Sequence, residues 1–360
     1  MSAANGGPVN PGRPSDGPVG MTAQEEEILL RIAASPHVHS PHSTPRIMWT
    51  VTATLVPLVA AAAWWFGPSA LLVIGAATAG AVLTERLFGH RGALGDGSAA
   101  ITGILLGLIL PAGFPIWMAF VGGVFGIGFG KLIFGGLGQN VFNPALLGRA
   151  FLQAAFPTAI TTWPAETASW WTLRGDNLAW PLMSPDTADL VTAATPLGAW
   201  KFEGVETQLA DLLIGRTGGS LGETSGLLIL GLGVFLALKK YLDWRIPASI
   251  LLTVALFSGV LHLLDPVQYA GPLFMLFSGG LMIGAVYMAT DMVTSPVTPR
   301  GAWIYGIGIG LLVVLIRVWG GLPEGVMYAI LLMNAMVPFI DRATQPRVFG
   351  HERKKQEAAA

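Results

Sequence analysis

Ten apolar stretches alternate with short polar ones, near residues 47–66, 69–88, 98–112, 115–134, 141–157, 224–240, 244–264, 270–289, 301–319 and 324–341. Each is long enough as a helix to span or nearly span a hydrocarbon layer of about 30 Å. The pattern therefore predicts an all-α integral membrane protein with about ten transmembrane helices. The third and fifth stretches are short and flanked by Gly, Asn and Pro. They read as half-helices meeting non-helical backbone, which a membrane tolerates only where it is buried in protein or lines a polar cavity. Trp64 and Trp65 close the first stretch, where amphipathic rings favour the interface. The predicted division is a tail over 1–45, five helices over 46–157, a hydrophilic loop over 158–223, five helices over 224–341 and a tail over 342–360.

The polar run Gly135 to Phe151 (GGLGQNVFNPALLGRAF) returns, shifted by 185 positions, as Gly320 to Met336 (GGLPEGVMYAILLMNAM). Gly135, Gly136, Leu137, Val141, Leu146, Leu147 and Ala150 fall on identical residues, and Pro111 falls on Pro296 in the same register. An internal duplication follows, with the polar version in the first copy. Broken helices at corresponding points of two halves point to a binding site.

Lysine and arginine fix the expected orientation. With the N-terminus cytoplasmic, that side collects Arg46, Arg86, Arg91, Lys131, Lys239, Lys240, Arg245, Arg300, Arg342, Arg347, Arg353, Lys354 and Lys355. The opposite short loops carry almost none, so both termini are expected in the cytoplasm and the loop over 158–223 on the periplasmic or exterior side. Five segments per half is an odd number. The two halves are thus expected to insert as inverted repeats.

Composition supports the membrane reading: 52% of residues are hydrophobic and 11% charged. A net charge of -1 argues against nucleic acid as a partner and leaves membrane lipid as the chain's surroundings. Without cysteine the chain can supply no disulfide and no thiolate for a metal or cluster, so redox chemistry requires an organic cofactor. The first residues lack a basic and apolar pattern and give no sign of a cleaved signal peptide. Residues 1–34 read as a disordered tail ending in a short amphipathic helix, EEEILLRIAA. His37, His39 and His42 follow, but without acidic or cysteine partners a polar juxtamembrane loop is a better reading than a metal site.

Three further features bear on chemistry. GGVFGIGFGK (Gly122 to Lys131) superficially resembles a phosphate loop, yet Leu132 follows the lysine and the run lies in an apolar segment, so close helix packing by small residues is the better reading. The loop over 158–223 carries Trp163, Trp170, Trp171, Trp180 and Trp200, an aromatic content suited to a planar ligand or a partner. Asp291, just past the eighth stretch, is an ionisable residue at a membrane break and so a candidate for ion coupling.

Several of these motifs resemble one family: SPHVHSPHSTPRIM from Ser35, GGLGQNVFNPALLGRAF, Asp189-Leu-Val-Thr192-Ala-Ala-Thr195, GSLGETSGLLIL from Gly219 and YMATDMVTSP from Tyr287. The sequence resembles the family of the D subunit of the Rnf electron-transport complex and, more distantly, the B subunit of the sodium-translocating NADH:quinone reductase. The resemblance covers about residues 35–345. It implies FMN bound covalently at Thr195 through a phosphoester, made by a periplasmic flavin transferase that reads Asp189 and Thr192. The family pattern has Gly or Ser where this chain has Ala193, and a proline where it has Met292. The resemblance also implies a non-covalent riboflavin or FMN near Asn140 and Asn143. Arg149 is a candidate to stabilise flavin charge on reduction, although a buried arginine paired to helix carbonyls is the equal alternative.

The function so implied is that of one subunit of an ion-translocating ferredoxin:NAD+ oxidoreductase of the inner membrane. Electrons pass by flavins to cluster-bearing and flavin-bearing partner subunits, coupled to Na+ or H+ movement. The rival readings are a solute channel or transporter of inverted-repeat architecture without flavin, and a structural membrane scaffold.

Overall fold

The computed structural model describes residues 43–90, 93–164, 170–181, 195–215, 217–223 and 225–346. The three clustered histidines, the amphipathic segment of the N-terminal tail, Asp189 and Thr192 lie outside these residues. So do Arg91, Arg347, Arg353, Lys354 and Lys355.

The protein is an all-α, multi-pass membrane protein. Among the described residues five helices are long and apolar enough to cross a membrane: α1 (Thr44–Phe66), α2 (Pro68–Phe88), α7 (Arg245–Leu264), α10 (Pro299–Trp319) and α11 (Val326–Thr344). Between them lie shorter ones: α3 (Ser98–Leu108), α4 (Ile116–Ile127), α5 (Pro144–Ala155), α6 (Gly226–Leu238), α8 (Pro272–Phe277) and α9 (Leu281–Ile283). The helix starts follow local chemistry. Asn143 and Thr298 each cap a helix whose next residue is proline, which lacks the N–H that would go unsatisfied there.

The glycine run in α4 packs against neighbours as its spacing predicts. A Cβ on Gly123 would lie 2.2 Å from the Ala77 carbonyl oxygen of α2, and one on Gly126 2.7 Å from the Pro144 carbonyl oxygen of α5. Only glycine admits backbone this close. Lys131, at the end of the same run, is buried rather than an exposed cytoplasmic charge: its ammonium meets Glu85 and Ser98, with Asp96 at 3.8 Å.

Two helices end inside the protein, and their orphaned backbone groups find identifiable partners. α3, expected to run to residue 112, stops at Leu108. Its last carbonyls then find separate donors: Leu108 accepts from Gly222 N, Leu110 from Leu221 N at 3.1 Å, and Ile109 from Arg149 Nη1 at 2.6 Å. The stretch 270–289, expected to be continuous, breaks at Ser278–Gly280, where Gly279 takes φ +66°. There the Met275 and Ser278 carbonyls accept from Arg317 at 2.6 and 2.9 Å, and Gly280 N donates to Glu324. Each break thus carries its own buried arginine, which is the condition for non-helical backbone at such depth.

The described parts of the long loop dock on helix ends. Trp170 Nε1 donates to the Ala63 carbonyl, and Arg174 Nη2 to that of Trp65, both in α1. Asn177 Nδ2 donates to the carbonyls of Ala112 and Phe114 between α3 and α4. The turn 196–203 instead packs on the second half, with Trp200 beside Phe274 and Lys201 on the end of α10.

Candidate functional site

The second helix break and Arg149, which holds the first, border one cavity. It encloses about 460 Å³ and is lined by Arg149 and Gln153 of α5, Thr195, Phe202 and Glu203 of the loop, Glu223, Gly279 and Glu324. This volume lies within the range of small-molecule sites. Thr195 is half-buried at its rim with extended backbone (φ −68°, ψ 153°), as a residue before proline should be. Its Oγ1 accepts from Gly198 N at 3.1 Å.

Arg149 links the halves. One of its terminal nitrogens holds the Ile109 carbonyl, the other meets Glu324 Oε2 at 3.3 Å, and its Nε is buried without a hydrogen-bond partner. Glu324 reaches back to the second break through Gly280 N. Glu223 hydrogen-bonds Ser220 Oγ at 2.6 Å. Loss of water, reinforced by the charge of Glu324, pushes its carboxyl up to about 8 against the opposing pull of Ser220, Arg149 and Arg317.

A second cleft brings together Asn140, Asn143 and Asp291 with Lys131, Ser98, Tyr287 and apolar residues including Ile101, Leu105 and Val286. Here the two asparagines differ. Asn143 Oδ1 accepts from Ala145 N and Leu146 N at 3.0 and 3.3 Å, and its Nδ2 donates to Met288 O at 3.1 Å, so its carboxamide caps α5 and ties it to the segment after α9. Asn140 is buried, with one long bond from Nδ2 to Phe142 O and a second contact to the Asp291 carboxylate. Asp291 also accepts from Val293 N and Thr294 Oγ1, both at 3.3 Å, while loss of water raises its carboxyl above the ordinary range.

The sequence-predicted residues therefore fall into two places. Asn140, Asn143 and Asp291 share the second cleft, whereas Arg149 shares the first cavity with Thr195. Of the loop tryptophans only Trp163 lines the first cavity; Trp171 and Trp180 are exposed. Sequence reasoning missed Glu324, Arg317 and Asn334. With its amide oriented to satisfy every neighbour, Asn334 accepts from Asn143 N at 3.2 Å and donates to Tyr305 and the Thr294 carbonyl. The signal present in the sequence was a charged or amide residue inside or beside an apolar run, which is a functional candidate by default.

Comparison with known proteins adds the lineage. The model of the NQR2, RnfD, RnfE family matches residues 31–350. The chain belongs to that family. It is 39% identical over 345 residues to the D subunit of the proton-translocating ferredoxin:NAD(+) oxidoreductase complex of Clostridium ljungdahlii, covering 92% of this chain and 99% of the relative. It is 41% identical over 342 residues to the D subunit of the Na(+)-translocating ferredoxin:NAD(+) oxidoreductase complex of Acetobacterium woodii, covering 93% and 99%. With the D subunit of the ion-translocating oxidoreductase complex of Stutzerimonas stutzeri it shares 41% over 340 residues, 88% of this chain and 95% of the relative.

The donor and acceptor groups present are of the kind that the implied flavins require. At the first cavity a threonine oxygen reaches the rim, and a buried arginine Nε lacks an acceptor. Burial makes the Glu223 carboxyl bind its proton more tightly than an exposed one does, which lessens the negative charge an anionic ligand meets. At the second cleft, apolar side chains for a ring plane adjoin the Asn140 amide, which has both donor and acceptor capacity.

Proposed function

We propose that the chain is the flavin-carrying membrane subunit of an Rnf-type complex that passes electrons between ferredoxin and NAD(+) and couples their passage to ion movement. Its relatives' names include both a proton-translocating and a Na(+)-translocating complex, so the family accommodates either ion. In this reading Thr195 carries FMN as a phosphoester, placed there by a flavin transferase, and a second, non-covalent flavin lies in the cleft of Asn140. Flavins supply electron transfer when bound; the chain supplies position and electrostatics. Arg149 offers its unpartnered Nε to the group held at Thr195. Asn140 orients the second ring, with Asp291 beside it as the candidate ion-coupling carboxylate, while Asn143 holds the halves together. Other subunits of the complex supply the clusters that a chain without cysteine cannot hold.

The arrangement is also read as two inverted five-helix repeats. Support comes from matched packing, α2 along α4 in the first half and α7 along α10 in the second, and from the buried cations Lys131 and Arg317 near the ends of the paired α4 and α10.

One observation carries the reading over a solute pathway. Thr195 stands at a cavity bordered by Arg149 and by the break at Gly279, and the crevice that adjoins this cavity beside Leu146, Met288 and Met327, sharing Arg149, Gln153 and Glu324 with it, holds only about 20 Å³. That admits about one water molecule. A solute is stopped there, whereas an electron needs no open path. The test is mass spectrometry of the peptide containing Thr195, from chain produced with a transferase. The expected result is an added FMN minus water, absent in Thr195→Val. An unmodified wild-type peptide, or an adduct on Thr192, overturns the assignment.

A further inference from the structure

Six residues beyond Thr195, Lys201 turns back and places its ammonium on the carbonyl end of α10. It donates to the carbonyls of Arg317 at 2.8 Å, Leu322 at 3.0 Å and Gly320, with that of Ile316 at 3.5 Å. A lysine has three donors and no acceptor, and the last carbonyls of a helix lack partners and form the negative end of its dipole. The match uses the whole ammonium.

The segment between the two residues transmits this anchoring. Pro196–Gly198 forms one helical turn continued by the π turn Ala199–Glu203, and Ala199 N donates to the Thr195 carbonyl at 2.8 Å. Leu197 is buried in space left by Gly279, where a Cβ would come within 2.6 Å of the leucine. Thr195 is thus held by a short rigid piece whose outer end is fixed by one charged group. Burial also lowers the Lys201 ammonium below its ordinary value, as expected of a charge held away from bulk water.

We propose that Lys201 is a positioning residue: by clamping the turn 196–203 to the end of α10 it holds Thr195, and the group Thr195 carries, at the rim of the cavity lined by Arg149. The clamp itself follows from the contacts of this chain, and its role toward a flavin rests on the reading of Thr195 above. No other residue of the turn joins it to α10 by so many charge-assisted bonds among those described.

The test uses the full chain in its complex, as wild type, Lys201→Gln and Lys201→Arg, each also in the Thr195→Val background. Hydrogen exchange over residues 195–204 reads the clamp with or without flavin. Lys201→Gln should exchange about tenfold faster there, because charge-assisted bonds are each worth enough to shift the opening equilibrium by about that factor. Lys201→Arg, which keeps the charge and donors, should stay close to wild type. In flavin-loaded protein, fluorescence anisotropy at Thr195 should fall and quenching by a soluble iodide salt should rise in Lys201→Gln, with assembly and covalent load unchanged. Unaltered exchange in Lys201→Gln overturns the clamp. Raised exchange spread over all helices, or loss of the variant from the membrane, makes Lys201 a folding element and also overturns the proposal. Local loosening together with an unmodified Thr195 peptide leaves the clamp standing and sinks the flavin reading alone.

Discussion

Asn140 and Asn143 are three positions apart in a single polar run, yet their side chains meet different demands. Asn143 spends its oxygen on the first turn of α5 and its nitrogen on Met288, so Asn143→Leu removes a cap and a tie between the halves. The expected cost is about 1–3 kcal/mol, read as a lower melting temperature in detergent. Asn140→Leu should leave melting nearly unchanged and lower acid-extractable flavin; the reverse pattern would exchange the two roles. Glu223 gives a pH signature. Its carboxyl is raised from an ordinary 4.5 to about 8 by burial and then by Glu324. Between those values the folded chain holds a proton that the unfolded chain has released, so stability falls as pH rises through the interval and the full penalty remains above it. Glu223→Gln should flatten that fall, and equal slopes for the two proteins would place Glu223 in water. Sequence alone made the polar residues of 135–151 stand out because they interrupt an apolar pattern. It could not separate an amide that ties the halves together from an open one, since the tie runs to Met288, 145 positions away.

At the scale of elements, short helices were legible where glycine, asparagine and proline flank them, as at α3 and α5. The break at Ser278–Gly280 was hidden, because two glycines in an apolar run read equally well as packing residues. Its stabilisers, Arg317 and Glu324, lie far along the chain. The same limit applied to Lys131, which looked like an inside charge until Glu85, 46 positions earlier, met it. Glycine packing in α4, by contrast, follows from spacing alone and gives a paired prediction. Gly123→Ala should destabilise by about 1–3 kcal/mol, the usual cost of overpacking, since its new methyl would meet the Ala77 carbonyl oxygen at 2.2 Å. Gly75→Ala, with nothing within 4 Å, should melt no lower than wild type. Equal effects at both sites would mean that helix propensity, not close approach of α2 and α4, governs them.

At the scale of the whole molecule, the structure refines the argument from basic residues. Arg46, Arg86, Lys239, Lys240, Arg300 and Arg342 are exposed, free to act as the point charges that the positive-inside rule counts. The basic residues toward the loop are instead engaged by backbone: Arg174 with Trp65 O, Lys201 with the end of α10, Arg317 with Met275 and Ser278, and Arg149 with Ile109 and Glu324. A charge already held by carbonyls gives little bias to insertion, so the exposed set decides. On the proposed orientation the ends of α2, α6 and α11 face the cytoplasm and the turn carrying Thr195 the opposite side, within reach of a transferase working there. The stretch around Glu206 is exposed and outside any helix, as is Gln345 after α11, so both accept a fused reporter without cutting the core. Alkaline phosphatase fused after Glu206 should be active, and a fluorescent protein fused after Gln345 should light up in the cytoplasm. An inactive phosphatase would put Thr195 on the wrong face for the proposed attachment, and a dark C-terminal fusion would remove the inverted arrangement of the two halves.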